Sequence, residues 1–360
     1  MADKILEVKN LDLTFSTTAG PVHAIRGVNI DLERGETVAV VGESGSGKSV
    51  VMKTVMGILA GNARINSGEI IFRYNDDKGA AQEVDILKKE KKWIRKNING
   101  RRISMIFQDP MTSLDPTMTI GKQLMEGMIM HLGISRMEAA QRAVKLLDEV
   151  GLTEPGKRMK QYPHQLSGGT RQRVVIAIAI SCNPDLLICD EPTTALDVTI
   201  QARILELIKR LQVEHGISVI YITHDLGVVA NVAERVAVLY AGQIVELGTV
   251  EDIFYDPRHP YTWALLSSLP QLTEKDTDLF SIPGTPPSLY NKITGDAFAP
   301  RNLYCMKIDT LQEPPMFQIS DTHFAKTWLL DPRSPKIEKP EILEDIQSKI
   351  KRSFHIEEMV

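Results

Sequence analysis

The stretch Glu36-Thr37-Val38-Ala39-Val40-Val41-Gly42-Glu43-Ser44-Gly45-Ser46-Gly47-Lys48-Ser49 decides how this chain folds. Glu36 to Val41 is a short apolar run that stops at a glycine-rich turn, as a strand buried on both faces of a parallel sheet does. From Ser49 the pattern turns helical and continues through Leu59. Between the two, Gly42 to Ser49 fits G-x-x-x-x-G-K-[ST] in full. Glycines there let the backbone curl so that successive N–H groups face one anion, and the helix that follows adds its positive end. In this reading Lys48 reaches the β- and γ-phosphates of a nucleotide and the Ser49 hydroxyl ligates Mg²⁺. A chance glycine–serine loop is the competing reading, and the strand before and helix after it argue against that.

A second anchor lies downstream in Leu186-Leu187-Ile188-Cys189-Asp190-Glu191. Four apolar residues make a buried strand, and two carboxylates emerge at its C-terminal end, where open α/β sheets place ligand chemistry. Asp190 suits the Mg²⁺ shell, and Glu191 is placed to polarise an attacking water. An isolated Asp-Glu pair is more often surface charge; its position after this strand favours chemistry.

Outward from these anchors, Ile5 to Phe15 and, less cleanly, Ala24 to Leu32 alternate as half-buried strands do. Gly68 to Tyr74, Ile103 to Phe107 and Val219 to Ile222 read as further strands. Residues 75–102 are polar and lysine-rich, a solvated loop with a charged helix. Residues 111–163 look helical, with Ala139, Val144, Leu147 and Val150 spaced for one buried face. Gln201 to His215 is an amphipathic helix closed by Gly216. Val236 to Tyr240 and Gln243 to Leu247 predict a hairpin across Ala241-Gly242. Prolines become frequent after Tyr255, so a boundary belongs there, and Glu338 to Val360, charged with an Ile/Leu stripe, reads as a peripheral helix. No internal repeat is visible.

With 360 residues and 43% hydrophobic content the chain can bury a large core. A net charge of −4 lacks the basic footprint of a nucleic-acid binder. The longest apolar run, Val174 to Ile180, falls far short of the ~20 residues that cross a bilayer. The N-terminus carries no apolar signal segment. Cys182, Cys189 and Cys305 follow no framework or metal-ligand spacing, as expected in a reducing compartment. The chain is therefore expected in the cytoplasm or at the cytoplasmic face of a membrane.

At Leu166-Ser167-Gly168-Gly169 the sequence resembles the ABC ATPase family, whose signature other phosphate-loop proteins lack. Ser167 and the two glycines open a helix expected near Thr170, where the family often has Gln. The resemblance covers about Ile5 to Asp256. It implies an α/β phosphate-loop NTPase of the ABC type: a mixed sheet core, an antiparallel β subdomain and a helical subdomain at about 111–170, within a domain spanning 1–255. It also implies that the signature of one subunit closes over ATP bound to the loop of another. Four further landmarks carry over. Phe15 fits the aromatic that stacks on adenine, with a core aromatic as the plainer alternative. Gln108 fits the glutamine joining the metal site to the helical subdomain. In Ala195-Leu196-Asp197, Asp197 fits the loop that touches the opposite subunit. His224 fits the histidine at the γ-phosphate, against a merely structural histidine. The implied nucleotide contacts are thus Phe15, Gly42, Glu43, Ser44, Gly45, Ser46, Gly47, Lys48, Ser49, Ser167, Gly168, Gly169 and Asp197. Catalysis falls to Glu191, His224 and Gln108, and Mg²⁺ to Ser49, Gln108 and Asp190.

Ser104 to Leu114, Arg258 to Leu266 and Ile282-Pro283-Gly284-Thr285-Pro286-Pro287 are similar to the ATPases of oligopeptide and dipeptide importers. That resemblance implies an extension over 256–335 followed by a tail at 336–360. It also implies a heterodimer with a paralogous ATPase, two transmembrane permease subunits and an extracellular peptide-binding protein, with no nucleic acid. Nickel-importer ATPases are very similar. Soluble ABC proteins of DNA repair or translation carry long coiled-coil insertions or two ATPase domains, neither of which is seen here. Many relatives hold an iron–sulfur cluster on four cysteines in the extension. Those positions fall on Asp296, Asn302, Asp309 and Thr327, and one nearby thiol, Cys305, cannot replace the four that such a cluster requires. No cluster is expected, and apolar packing of Phe298, Phe317, Trp328 and Leu329 is expected to hold the extension instead.

Overall fold

The computed structural model describes residues 3–194, 197–269, 282–340 and 343. Ala195 and Leu196 lie outside them, as does the peripheral helix expected at the C-terminus apart from its first residues and Leu343.

Among the described residues twelve strands form two sheets. In chain order they are β1 (Lys4–Thr17), β2 (Gly20–Glu33), β3 (Thr37–Val41), β4 (Ala63–Asn75), β5 (Ala81–Asp85) and β6 (Ile103–Ile106). They continue with β7 (Leu186–Asp190), β8 (Ser218–Thr223), β9 (Arg235–Tyr240), β10 (Gln243–Thr249), β11 (Phe317–Gln318) and β12 (Phe324–Ala325). The smaller sheet is antiparallel, in the order β2-β1-β4-β5, and the larger runs β11-β12-β10-β9-β3-β8-β7-β6. Strand β3 pairs in parallel with β8 and β9, and β7 in parallel with β6 and β8. Strand β10 returns antiparallel to β9.

The apolar run that opened the reading is buried at all of its positions from Thr37 to Val41 because both faces of the sheet are covered. Side chains alternate between the faces. Val38 and Val40, Leu186 and Ile188, and Ile220 and Ile222 pack against the antiparallel sheet and α1 (Lys48–Val55). Ala39 and Val41, Leu187 and Cys189, and Val219 and Tyr221 face a second core shared with most of the remaining helices.

Those helices are α2 (Lys91–Asn97), the one-turn α3 (Pro110–Ser113), α4 (Ile120–Gly127), α5 (Arg136–Glu149), the one-turn α6 (Pro155–Arg158) and α7 (Gly168–Ile180). After them come α8 (Val198–His215), α9 (Leu226–Val232), α10 (Val250–Tyr255) and α11 (Pro260–Ser267). Helix α2 packs with the first core through Ile94, and α4, α5 and α7 to α11 supply the second.

Several expectations need correcting. On α5 the buried set is Ala139, Ala143 and Leu147, with Val150 just beyond it, whereas Val144 is 36% exposed. Steps of four and three keep to one face of a helix; Val144 sits five residues from Ala139 and turns away. The stretch 111–163 is interrupted rather than continuous: Gly133 and Gly151 both have left-handed φ and end α-helical or π-helical turns. Helix α1 stops at Val55 instead of Leu59. The signature helix begins at Gly168, two residues earlier than Thr170, because Ser167 is its N-cap. Strand β5 was hidden by its polarity, since it is a largely exposed edge pairing only with β4. The hairpin across Ala241-Gly242 forms as expected, both residues having positive φ as a primed two-residue turn demands.

The compositional change after Tyr255 is no break in the core. Tyr261, Leu266 and Phe298 belong to the second core, and β12 extends the large sheet by pairing with β10. Buried Glu246 on β10 ties the seam: its carboxylate accepts the N–H of Arg258 at 2.6 Å, that of His259 at 3.1 Å and His323 Nε2 at 2.8 Å. Apolar packing is only part of what orders the extension. Phe298 meets Tyr240 edge-on, ring centres 5.3 Å apart, while Phe317 and Trp328 meet at 6.3 Å and are only half-buried. Asp296, Asn302, Asp309 and Thr327 are all buried, and each caps a tight turn with a side-chain oxygen. They accept from the N–H groups of Phe298, Tyr304, Met306 and Leu329, at 2.9, 2.9, 2.6 and 3.3 Å.

Burial, reinforced by neighbouring Asp309, pushes the Asp296 carboxyl up to about 6. A carboxyl whose folded pKa lies above its unfolded value loses stability for the protein as pH rises from about 4 to about 6. Asp296→Asn keeps the oxygen that accepts from Phe298 and removes the buried charge. It is expected to stabilise the chain by ~1–2 kcal/mol at pH 7.5 and by nothing at pH 4. Melting curves of wild type and variant at both pH values check this; equal differences at the two would refute it.

Candidate active site

The turn after β3 carries Gly42 to Ser49 onto α1. Gly42 has φ 147°, and a Cβ there would lie 2.1 Å from the Leu239 carbonyl oxygen on β9. Gly47 has φ 109°, and its Cβ would meet Ile25 and Ala24 of β2. The loop is therefore wedged between both sheets, which only glycine allows at those points. Lys48 is buried, and its Nζ donates to the Gly42 carbonyl at 2.7 Å and the Glu43 carbonyl at 3.0 Å. Desolvation lowers its pKa against the pull of Glu191, Asp190 and Glu43, so the ammonium is held ready for a stronger anionic partner. The Ser46 hydroxyl is buried in the same loop with no hydrogen-bond partner.

Strand β7 delivers the carboxylates. Ser49 Oγ donates to Asp190 Oδ1 at 2.8 Å, and desolvation raises the pKa of Asp190. Glu191 sits in the left-handed region at φ 47°, a strained conformation of the kind found where a side chain must be aimed. Three side chains hold its carboxylate: His224 Nδ1 faces Oε1 at 3.0 Å, and Gln108 Nε2 and Thr194 Oγ1 donate to Oε2 at 2.7 and 3.0 Å. A carboxylate only accepts, so His224 carries its hydrogen on Nδ1, leaving Nε2 for another group. Burial works to raise the pKa of Glu191, but the bonds from His224 and Thr194 and the charge of Lys48 outweigh it and keep the acid ionised.

Four of these groups, Lys48, Ser49, Gln108 and Glu191, line one open pocket together with Phe15, Val22, Ala24 and Leu289. The other proposed contacts lie elsewhere. Ser167 and Gly168 are exposed at the tip of α7, where Ser167 Oγ accepts from the Thr170 N–H at 3.3 Å, and neither lines this pocket. Asp197 is likewise exposed as the N-cap of α8, accepting from the Ile200 N–H at 3.0 Å.

Sequence reasoning did not find Thr194, Leu289 or Gln172. Thr194 follows Glu191 by three residues, the spacing of a turn partner. Gln172, on the signature helix, donates to the Pro192 carbonyl at 2.7 Å and so links α7 to the segment after Glu191. Leu289 lies far along the chain and gives no local signal. The hard oxygens of Ser49 and Asp190 beside a phosphate loop fit Mg²⁺, which favours one or two carboxylate-type ligands plus substrate phosphates and water. The four capping residues of the extension do not fit an iron–sulfur cluster: none is a thiol, each caps a turn with a side-chain oxygen, and Cys305 is exposed.

Comparison with known proteins agrees with this architecture. The ABC transporter family model matches residues 25–194, and the model of the oligopeptide/dipeptide transporter C-terminal region matches 245–308. The oligopeptide transport ATP-binding protein OppD of Bacillus subtilis is 56% identical, covering 98% of this chain and 96% of its own. The dipeptide transport ATP-binding protein DppD of Lactococcus lactis is also 56% identical, covering 93% of each. Among solved structures, the dimeric ATP-binding cassette MJ0796 bound to ADP and Pi is 29% identical, with a TM-score of 0.58 over 68% of this chain and 98% of that one. A phosphate loop, a strand-end carboxylate pair and a serine-capped signature helix, in a chain matching the OppD and DppD proteins nearly end to end, establish that it belongs to the ABC transporter ATPases, in the branch with the oligopeptide/dipeptide transporter C-terminal region.

Proposed function

We propose that this chain is the ATP-hydrolysing subunit that powers oligopeptide uptake through an ABC importer, working head-to-tail with a paralogous ATPase beneath two membrane subunits. The observation that carries the reading is the Glu191 carboxylate, held by His224, Gln108 and Thr194 in a pocket that Lys48 and Ser49 also line. Ser49, Asp190 and Gln108 would hold Mg²⁺, which would supply positive charge against the phosphates. The N–H groups of the loop and Lys48 Nζ receive the phosphates, and Phe15 takes the adenine. Glu191 orients and deprotonates the attacking water, with His224 Nε2 directed to the γ-phosphate.

Ser167, Gly168, Gly169 and Asp197 act on the nucleotide of the opposite subunit. Supporting this, Ser167 and Gly168 are exposed outside the pocket, one phosphate loop and one signature occur in the chain, and the MJ0796 cassette is described as dimeric. Gln108 passes closure to the helical subdomain at 111–170, and from there to the permease subunits. Among the described residues no helix is long and apolar enough to cross a membrane, in keeping with a peripheral place at the cytoplasmic face. The cassette at 1–255 carries the ATP chemistry, and the extension at 256–335 carries no iron–sulfur cluster.

Affinity purification of the tagged chain from its own membranes is expected to bring down a second ATPase and two polytopic membrane proteins. In the reconstituted complex, a peptide-loaded binding protein should raise ATP turnover several-fold. Stimulation by nickel and not by peptide would move the chain to the metal importers, and recovery with DNA or ribosomes alone would overturn the transport reading.

A further inference from the structure

Glu43 occupies an unrestricted position of the phosphate-loop motif, yet it is held at three points. Its backbone N–H donates to the Tyr261 hydroxyl at 2.8 Å. Its carbonyl accepts from Lys48 Nζ. Its carboxylate is gripped at both oxygens by Arg301, Nη1 to Oε2 at 2.6 Å and Nη2 to Oε1 at 3.0 Å. Two of these three holders come from the C-terminal extension.

The holders are themselves fixed. Arg301 is buried; its Nε donates to the Pro283 carbonyl at 2.8 Å, and its guanidinium lies over the Tyr240 ring, 5.9 Å from the centre. Tyr261, fully buried on α11, packs against Tyr240 and Phe298 at 4.5 and 5.4 Å between ring centres. A forked, buried guanidinium on a carboxylate sets direction as well as attraction. The extension also reaches the lining of the pocket. The Leu289 carbonyl accepts from the His23 N–H at 2.9 Å, and Leu289 lines the pocket beside Phe15.

We propose that the extension is a working part of the nucleotide site: Arg301 and Tyr261 are positioning residues that, through Glu43, hold the phosphate loop in the shape that receives a triphosphate. A glycine-rich loop left free would have to be ordered by the nucleotide at the expense of affinity, and donors already in place avoid that loss. The inference rests on the loop being the seat of MgATP. Coupling is reciprocal, so nucleotide binding must also steady the extension.

Tyr261→Phe removes one hydroxyl and leaves the aromatic packing. Arg301→Met removes the fork, and Glu43, whose side chain is 28% exposed, can then draw on water. With the full-length chain, binding of a fluorescent MgATP analogue and of the same fluorophore on adenosine is measured beside melting curves without nucleotide. Tyr261→Phe should raise the Kd for labelled ATP roughly fivefold and Arg301→Met about tenfold or more, with adenosine binding unchanged. Adding Arg301→Met to Glu43→Gln should cost little beyond Glu43→Gln alone. Wild-type affinity for labelled ATP in both variants, equal weakening for adenosine, or a full Arg301→Met effect in the Glu43→Gln background would overturn the proposal. Should Arg301→Met fail to melt cooperatively, Tyr261→Phe decides. Failure of the wild-type chain to bind labelled ATP would instead sink the assignment of the loop.

Discussion

Replacing Glu191 with Gln is expected to slow ATP turnover by about 10²–10⁴-fold while leaving MgATP binding within a few-fold of wild type. The carboxylate touches neither the loop backbone nor Lys48 Nζ by a hydrogen bond, so the groups that bind phosphate are preserved. What is lost is the base. His224 Nδ1 donates to Oε1, and Gln108 and Thr194 donate to Oε2. An amide can satisfy the first through its oxygen but presents N–H groups to the other two. The variant therefore lacks proton affinity and also disturbs the glutamine proposed to signal the helical subdomain. In the assembled transporter, the expected product is a closed, ATP-loaded dimer that survives size exclusion. Turnover close to wild type in that variant would remove Glu191 from its proposed role.

Lys48→Ala is expected to fail differently, at binding as well as chemistry. Its ammonium is buried and held by two loop carbonyls, with desolvation depressing its pKa. A triphosphate would supply the charge-assisted partners that this burial has denied it. Loss of the ammonium should weaken MgATP binding by about 10–100-fold and lower turnover by ~10³-fold, since it would also face charge developing in the transition state. Equilibrium binding and steady-state hydrolysis on one preparation separate the two effects. If affinity stays within twofold of wild type, Lys48 is not a phosphate ligand. The pair of variants thus divides the site: Lys48→Ala empties it, and Glu191→Gln fills it without turnover.

Much of this was legible in the chain itself because its elements are locally coded. The β3 run, its glycine loop and α1 are contiguous, and each residue's neighbours in sequence are its neighbours in space. The same holds for β7 with Asp190 and Glu191, and for the Ala241-Gly242 hairpin. Errors arose where local pattern is ambiguous. Val144 was misassigned because an apolar residue one step off a helix stripe looks like part of it. Strand β5 was missed because an edge strand needs no apolar face. The extension was expected to rely on apolar contacts, and the turn-capping role of Asp296, Asn302, Asp309 and Thr327 depends on backbone that the sequence does not display.

By itself, then, the sequence determined the parallel core strand, the phosphate loop, the paired carboxylates and the signature, since each is a short segment whose residue types dictate its own backbone. Only the tertiary structure decided that Glu191 meets Gln108, Thr194 and His224 on one carboxylate. It alone placed Arg301, 258 residues beyond Glu43, on the phosphate loop. Such contacts are made when β10 carries the chain back across the sheet and buries the extension in the same core. No periodicity records them, because the forces that create them act between segments whose order along the chain is irrelevant once they are packed together.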